Sequence, residues 1–325
     1  MMAAGLACYL IALSVLGGGL MAARGAGVVV TNNVESVRFA FSVRMFTEVN
    51  ENDAKASVKA WALALARERQ VPMSTEPIIL SGSAELRKAL QDATIDGAAV
   101  TTEEYLSLEP ELQSTNLFVT SIHGRFTEEY LLLVRTDSGI SNLCELRGRK
   151  VMMFDNPRAS LAPLWLDLIV SEKGLGTPAE HFGQILKAKK LANVVLPVFF
   201  RQQDACIVTR CGFDTMCELN PQVRAQLRVL TSSPELVPAL GFIRRNYYSP
   251  LRGVMLAALR GLEKSASGTQ VLTLFQSDAL QEEPASFLDT ARDLVEAHRR
   301  LKLDAGSVAS HSSPPALSLD TQRSP

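Results

Sequence analysis

The chain has 325 residues, of which 47% are hydrophobic and 21% charged, and its formal net charge is −1. This length accommodates two domains of ordinary size, and the hydrophobic content is ample for buried cores. The balanced charge excludes the basic footprint of nucleic-acid-binding proteins, so no nucleic-acid partner is expected.

The N-terminal residues have the composition of an export signal. Residues 3–20 form an apolar block without charge, and small residues around Ala23 suit cleavage. We therefore predict a signal peptide over residues 1–26 and a periplasmic location. No Lys or Arg stands near the start, so a retained membrane anchor is the alternative. A later apolar run, residues 194–200, falls short of the roughly 20 residues that a membrane span needs.

The first half of the chain predicts strands that alternate with helices. Strands are expected at residues 37–43, 76–80, 97–100, 117–122 and 130–134, and helices at 58–69, from 83 through 90, and at 101–108. This alternation is typical of an α/β fold with a parallel-rich sheet.

The second half repeats this order. Strands are expected at residues 150–154, 183–186, 204–208, 227–230 and, as the last strand, 240–243, with helices at 160–174, 191–200, 211–219, 250–262, 267–276 and 284–301. Residues 302–325 are rich in Ser and Pro and have little to bury, which predicts a disordered tail.

A tight turn between the strand at 150–154 and the following helix is the first candidate binding site. Arg158 and Ser160 lie in this turn, and Pro163 suits the first turn of the helix. Free backbone N–H groups at such a helix start, together with its positive end, attract anions. The alternatives are that Arg158 pairs with a surface acid and that Ser160 caps its helix.

A ten-residue pattern occurs twice and points to two similar lobes. Residues 96–105 and 204–213 both consist of Asp, a buried strand, Thr and a helix with an aromatic residue. Ligands of such sheets bind beyond the carboxyl ends of strands, where we expect one Thr per lobe. The candidate ligand residues are Thr101, Thr102, Tyr105, Thr209 and Arg210, with Arg44 and Phe46 in the turn after the first strand. Helix caps for the threonines, a core position for Tyr105 and a solvated helix start for Arg210 are the alternatives.

Four segments of the chain resemble the solute-binding proteins of phosphate, phosphite and phosphonate importers. These segments are residues 89–106, 145–166, 204–216 and 227–244. The resemblance implies a type II periplasmic-binding-protein fold, in which two lobes close on a ligand about two crossing strands. Each lobe would be a mixed, mostly parallel sheet flanked by helices. The implied bounds are 36–134 plus 241–301 for lobe I and 135–240 for lobe II, with crossings near 133–138 and 232–241.

The resemblance also implies a ligand class. Where the family has a turn rich in Ser and Thr, this chain has Arg158, Ala159 and Ser160, so one hydroxyl remains and an arginine has entered. An arginine can hold a carboxylate or phosphate with two hydrogen bonds, which favours an anion. Four acids near the opposite lobe would allow an additional amine on the ligand. They are Glu48, Glu103, Glu104 and Glu129.

The predicted function is an exported, monomeric solute-binding protein that delivers a small anionic or zwitterionic, phosphonate- or phosphate-like ligand to the permease of an ABC importer. A sensing module that partners a membrane receptor is the alternative, and an enzyme on the same scaffold is a weaker one. Serine-hydrolase, zinc-protease and phosphate-loop motifs are missing from the sequence. Neither a cofactor nor a metal is expected, because Cys206, Cys211 and Cys217 lack zinc-site spacing. Buried thiols are expected there, and a disulfide from Cys211 is the alternative.

Overall fold

The computed structural model describes residues 35–46, 50–68 and 70–311. The predicted signal peptide, Glu48 and residues 312–325 of the predicted tail lie outside these ranges. Within them, no helix is both long enough and apolar enough to cross a membrane. The choice between a cleaved signal and a retained anchor therefore stays a prediction.

The described part of the chain forms eleven β-strands, ten of which coincide with strands predicted from apolar runs and alternation. The strands are β1 (Phe39–Ser42), β2 (Ile78–Leu80), β3 (Gly97–Thr101), β4 (Asn116–Ser121), β5 (Tyr130–Arg135), β6 (Lys150–Phe154), β7 (Gln184–Ala188), β8 (Ala205–Thr209), β9 (Leu227–Ser232), β10 (Ala239–Ile243) and β11 (Ala279–Pro284).

Eleven α-helices in the same ranges connect and cover these strands. They are α1 (Glu51–Glu68), α2 (Ser83–Gln91), α3 (Thr102–Leu106), α4 (Ala162–Glu172), α5 (Pro178–His181), α6 (Leu191–Phe199), α7 (Arg210–Leu219), α8 (Pro221–Gln226), α9 (Leu251–Leu259), α10 (Ala266–Leu274) and α11 (Asp289–His311). Short 3-10 helices lie at Val43–Met45, Leu143–Leu146, Pro157–Ala159, Leu262–Lys264 and Ala285–Leu288.

The strands form two mixed sheets, one per lobe. The sheet of lobe I has the order β11-β4-β10-β3-β1-β2, and that of lobe II has the order β7-β6-β8-β5-β9. In lobe I, β1 pairs in parallel with β2 and β3, while β10 runs antiparallel between β3 and β4. In lobe II, β6 pairs in parallel with β7 and β8, while β5 runs antiparallel between β8 and β9. The predicted α/β class with two similar lobes is therefore confirmed.

The chain passes between the lobes twice, and the two passages are hydrogen-bonded to each other. The first lies between β4 and β5 at residues 122–129, and the second lies between β9 and β10 at residues 233–238. Glu128 and Leu236 exchange two backbone hydrogen bonds, of 2.7 and 2.9 Å. These crossings are therefore a short two-stranded connection between the sheets.

The predicted position of the first crossing, 133–138, is wrong. All of β5 belongs to lobe II, because Tyr130–Arg135 pairs with β8 and β9, so lobe I ends before residue 130. Leu131, Leu132 and Leu133 are fully buried. A strand that is apolar on both faces has no alternation to show which sheet it joins, so the sequence alone could not assign it.

The C-terminal region differs from the prediction in two ways. Residues 279–284 form β11 at the edge of the lobe I sheet, where it pairs with β4, so 240–243 is not the last strand. The final helix begins at Asp289 rather than at 284 and continues to His311, into the range predicted as disordered tail. Because an edge strand needs little apolar surface, the charged sequence of β11 carries a weak strand signal.

Three hydrophobic clusters hold the helices to the sheets. One packs α1, α9 and α10 on one face of the lobe I sheet, and another packs α6, α7 and α8 on the lobe II sheet. The largest runs without a break from lobe I through α4 and α11 into lobe II. The helices cover the faces of the sheets. The carboxyl ends of β1 and β3 in lobe I and of β6 and β7 in lobe II form the site described next.

Candidate functional site

Residues from both lobes line a cavity of about 280 Å³, which we call the cleft cavity. Lobe I contributes the residues after β1 and the last residue of β3, and lobe II contributes the residues after β6 and the end of β7. Five residues predicted to bind ligand line it, namely Arg44, Phe46, Thr101, Ala159 and Ser160. Carboxyl ends of parallel strands thus meet across the lobes, as the topology rule for such sheets requires.

The turn after β6 uses its own amide N–H groups. The N–H of Arg158 donates to the Asn156 side chain at 3.0 Å, and those of Ala159 and Ser160 donate to the carbonyls of Asn156 and Pro157 at 2.8 and 3.2 Å. Helix α4 begins at Ala162 instead of Ser160. The prediction of free amides for an anion is therefore wrong for Arg158, Ala159 and Ser160, because a 3-10 turn at Pro157–Ala159 consumes their N–H groups.

Arg158 is held in a buried ion pair. Its Nη1 donates to Glu128 Oε1 at 2.9 Å, and the exposed fractions of the two side chains are 15% and 2%. Burial raises the pKa of Glu128, and the Arg158 charge only partly opposes this. Arg158 lines a second, apolar cavity rather than the cleft cavity. The positive charge of Arg158 is therefore paired with Glu128. The alternative to ligand binding was a pair with a surface acid, but Glu128 is buried.

One carbonyl group, that of Pro238 on the second crossing, connects the two lobes. It accepts a hydrogen bond from the Ser160 hydroxyl at 2.8 Å and from the Thr102 backbone N–H at 2.9 Å. Ser160 thus neither caps α4 nor keeps its proton free for a ligand. The Thr102 hydroxyl is buried without a hydrogen-bond partner among the described residues, and Thr102 does not line the cleft cavity.

Thr101 is the cap of α3 within a buried polar network. Its N–H and its hydroxyl both donate to Glu104 Oε2 at 2.9 Å, and Ser42 donates to the other oxygen of Glu104 at 2.7 Å. All three side chains are nearly inaccessible to water. This network holds the end of β1 against the end of β3, so Thr101 shapes the wall of the cleft cavity through packing.

Besides Thr102, three predicted ligand residues lie away from both cavities. Thr209 caps α7 by accepting from the Gly212 N–H at 3.2 Å. Arg210 pairs with Glu129, with 3.0 Å between Nη2 and Oε1, and holds the pKa of Glu129 below its usual value. Tyr105 is fully buried and donates to the Ser114 carbonyl at 2.8 Å. Thr209 is therefore a helix cap and Tyr105 a core residue, as the structural alternatives state. Arg210 is neither a ligand residue nor a solvated helix start, because it is paired with Glu129.

Three basic side chains line the cleft cavity. Lys187 on β7 and Lys189 just after it are exposed, and neither forms an ion pair within the described ranges. Arg44 contributes a guanidinium that is paired with Glu103 at 2.9 Å and is about half-exposed. Sequence reasoning missed the lysines because β7 looked weak. Their spacing of i and i+2 on a strand, which places both on one face, was the available signal.

An apolar cavity of about 370 Å³ adjoins the cleft cavity inside lobe I. Aromatic rings dominate its wall, and Phe46, Asn156 and Pro157 line both cavities. The rings are those of Phe39, Phe41, Phe46, Trp61, Phe118 and Phe275. Their sequence pattern indicates ordinary core packing, so the sequence alone did not reveal the space between them.

The cysteines show no metal or disulfide chemistry in the described ranges. Cys206 and Cys217 are buried free thiols and Cys211 is a half-buried one, as expected from their spacing. Burial raises the pKa of Cys206 far above that of an ordinary thiol. No cluster of three or more possible metal ligands occurs among the described residues.

Solved structures with the same fold include transporter binding proteins. A Xanthomonas citri protein bound to ATP is 17% identical, with a TM-score of 0.61 over 82% of this chain and 98% of that one. PhnD1 of Prochlorococcus marinus, in complex with methylphosphonate, is 12% identical, with a TM-score of 0.56 over 82% and 98%. A binding protein component of a Pseudomonas aeruginosa ABC phosphonate transporter is 15% identical, with a TM-score of 0.51 over 86% and 99%. At these identities the likeness shows the fold, which is of the predicted type II.

A family model supplies the remaining comparison. Residues 44–285 match the model described as "ABC transporter, phosphonate, periplasmic substrate-binding protein", whereas no curated protein sequence matches the chain. The matched range includes both sheets except β1, both crossings and every residue that lines the cleft cavity apart from Val43. The chain therefore belongs to the family of periplasmic substrate-binding proteins of phosphonate ABC transporters.

Proposed function

We propose that this protein is exported to the periplasm, captures a small phosphonate- or phosphate-like anion between its two lobes, and presents it to the permease of an ABC importer. The observation that carries this proposal is the cleft cavity, in which exposed Lys187 and Lys189 from lobe II face Arg44 from lobe I. Family membership supports the transport role, and it also supports a binding protein rather than an enzyme. Methylphosphonate in the PhnD1 complex supports the ligand class.

The mechanism follows from the origin of the lining residues. An anion that contacts the lysines of lobe II and Arg44 of lobe I is held by more groups when the lobes are close together than when they are apart. A ligand shifts a conformational equilibrium only by its differential affinity for the two states. Closure about the crossings at 122–129 and 233–238 would therefore depend on an anion that reaches both lobes.

A simple anion fits this cleft better than a zwitterion. Of the acids expected to meet a ligand amine, Glu103 pairs with Arg44, Glu104 caps α3 and Glu129 pairs with Arg210. Asp155 is the acid that lines the cleft cavity among the described residues, and it stands with three basic side chains there. The uncompensated charge of the lining is therefore positive, which favours an anion.

Calorimetric titration with methylphosphonate, phosphate, phosphite and amino acids tests the proposal. A ligand at 100 times its dissociation constant should also raise the free energy of unfolding by about 2.7 kcal/mol. Lys187→Ala and Lys189→Ala should each weaken anion binding about tenfold, because a hydrogen bond to a charged group contributes about 1.5–3 kcal/mol.

Lys190→Ala is the matched control, because Lys190 is equally exposed but does not line the cleft cavity. It should change the affinity by no more than about twofold at physiological salt, where solvent screens distant charges. If all three variants lose the same affinity, the effect is one of overall charge, and Lys187 and Lys189 do not contact the anion. Failure of every anion to bind would refute the proposed function.

A further inference from the structure

The apolar cavity of lobe I is too large to be a packing defect. Protein cores are packed as densely as organic crystals, and voids larger than a water molecule are few. This cavity measures about 370 Å³, within the range of roughly 300–1,000 Å³ that ligand pockets occupy. It lies between the sheet of lobe I and helices α1, α9 and α10.

Its wall favours hydrocarbon over water. Phe39, Phe41 and Phe118 of the sheet line it together with Trp61 of α1 and Phe275 after α10. Leucine side chains complete the apolar part of the wall, and Thr120, Asn156, Arg158, Gln276 and Ser277 form its polar part. Apolar cavities stay dry and take up apolar molecules, and about 150 Å³ is enough for a benzene ring. By that measure the cavity accommodates an apolar group of roughly a dozen carbon atoms.

One side of this cavity adjoins the proposed anion site. Phe46, Asn156 and Pro157 line both cavities, so the two spaces share a wall. Arg158 and Pro238 also lie on this side, on the turn after β6 and on the second crossing. A single molecule placed here would have one end among the basic side chains of the cleft and the other among aromatic rings.

We propose that the ligand is an amphiphilic anion, a phosphonate or phosphate group carrying a hydrocarbon tail, whose head group occupies the cleft cavity and whose tail enters lobe I. This inference rests on the proposed function and specifies its substrate class. Lys187 and Lys189 attract the head group, while the cavity between β10 and α1 receives the tail. Short anions such as methylphosphonate would leave the apolar cavity empty.

A chain-length series provides the first test. Calorimetric titration of the purified chain with alkylphosphonates from methyl to dodecyl should show affinity rising about fourfold per methylene, since burying one CH₂ contributes about 0.8 kcal/mol. The rise should stop at roughly a dozen carbons, when the cavity is full. The corresponding alcohols, which lack the anionic group, should bind far more weakly.

Gly241 offers a way to fill the cavity without touching the cleft. It pairs with Ala99 and Phe118 across the sheet, all three line the apolar cavity, and cross-strand partners share a face. A β-carbon at Gly241 would meet its nearest neighbours at 3.7–3.9 Å, which is ordinary contact. Gly241→Leu adds four carbon atoms to the wall, so the rise in affinity should stop about four carbons earlier than in the wild type, and methylphosphonate affinity should stay unchanged. Gly253→Leu, where a β-carbon meets nothing within 4 Å, is the control.

A second readout is made on the wild-type chain, and a variant of the cavity wall is needed only to assign it. Trp61 lines the cavity, whereas Trp165, the other tryptophan of the chain, does not. An alkylphosphonate with a terminal bromine should quench Trp61 fluorescence, and Trp61→Phe should remove the quenching.

The outcomes separate the two proposals. Affinity that stays flat or falls with chain length, without quenching, would overturn the amphiphile and leave the proposed function standing. Alcohols that bind as tightly as phosphonates would overturn the anionic head group. If no phosphonate of any length binds, the proposed function itself fails.

Discussion

The buried pair of Glu128 and Arg158 gives the sharpest test of how this site is built. Glu128→Gln removes the negative charge and leaves the Arg158 guanidinium, 15% exposed, without its partner. Breaking a buried ion pair in this way costs about 3–5 kcal/mol of stability, and the remaining exposure of Arg158 places the expected loss near the lower limit. The assay is urea unfolding followed by circular dichroism.

The double variant Glu128→Gln/Arg158→Met separates the structural role from a role in binding. Because no charge is left unpaired, its stability should return to within about 1–2 kcal/mol of the wild type, which gives a large coupling energy in the double-mutant cycle. If the arginine serves the fold, this variant should also keep its affinity for a short anion. Loss of binding in a stable double variant would instead support the ligand role predicted from sequence.

An exposed pair on the same two crossings is the matched control. Arg125 and Glu235 are 3.1 Å apart with exposed fractions of 41% and 59%. Glu235→Gln should cost less than about 1 kcal/mol, as is typical of surface ion pairs. A loss in Glu128→Gln no greater than in Glu235→Gln would refute the argument from burial.

Two further predictions concern the walls of the cleft, and a third concerns the buried Tyr105. Glu104→Ala should cost about 1–3 kcal/mol in urea unfolding, because it leaves the buried donors of Thr101 unsatisfied; a loss below the usual surface value of about 0.5 kcal/mol would contradict the network. Ser160→Ala should cost about 1 kcal/mol through the lost bond to Pro238, and stability equal to wild type would show that this bond does not hold the turn. Burial raises the pKa of Tyr105 to about 12, so Tyr105→Phe should leave the tyrosinate absorbance titration near pH 10 unchanged; a smaller amplitude there would place Tyr105 in solvent.

The strand and helix positions could be predicted because each leaves a local periodic signal. Residues 151–154 are apolar, and the apolar residues of the following helix repeat at three- and four-residue intervals; the structure places β6 and α4 there. The assignment of β5 to a sheet has no such signal, because a strand buried on both faces pairs equally well with either lobe. For β11, pairing with β4 supplies the structure that its own residues do not specify.

The candidate site was predictable to the extent that topology determines it. Carboxyl ends of parallel strands converge in any such sheet, which is why Arg44 and Thr101 were expected at a cleft that they do line. Which of the predicted arginines are available to a ligand depends instead on side-chain pairing. The guanidinium of Arg210 turns to Glu129 and that of Arg158 to Glu128, and both acids are distant in sequence, so only the folded structure brings these charges together.

The same pairing accounts for the position of the proposed binding charge, on the strand next to β6. Arg158 is bound to Glu128 of the first crossing, and Ser160 is bound to Pro238 of the second. Both side chains at the turn after β6 are therefore used to join lobe II to the connection between the lobes. The amides of Arg158, Ala159 and Ser160 bond within the turn and are not available to an anion, whereas Nη2 of Arg158 is buried without a hydrogen-bond partner among the described residues. Lys187 and Lys189 stand at the end of the neighbouring strand, β7, which pairs in parallel with β6. They line the same cavity from an adjacent strand end, and under the proposed function they take the place of the family's hydroxyl-rich turn, of which this sequence keeps one hydroxyl, that of Ser160.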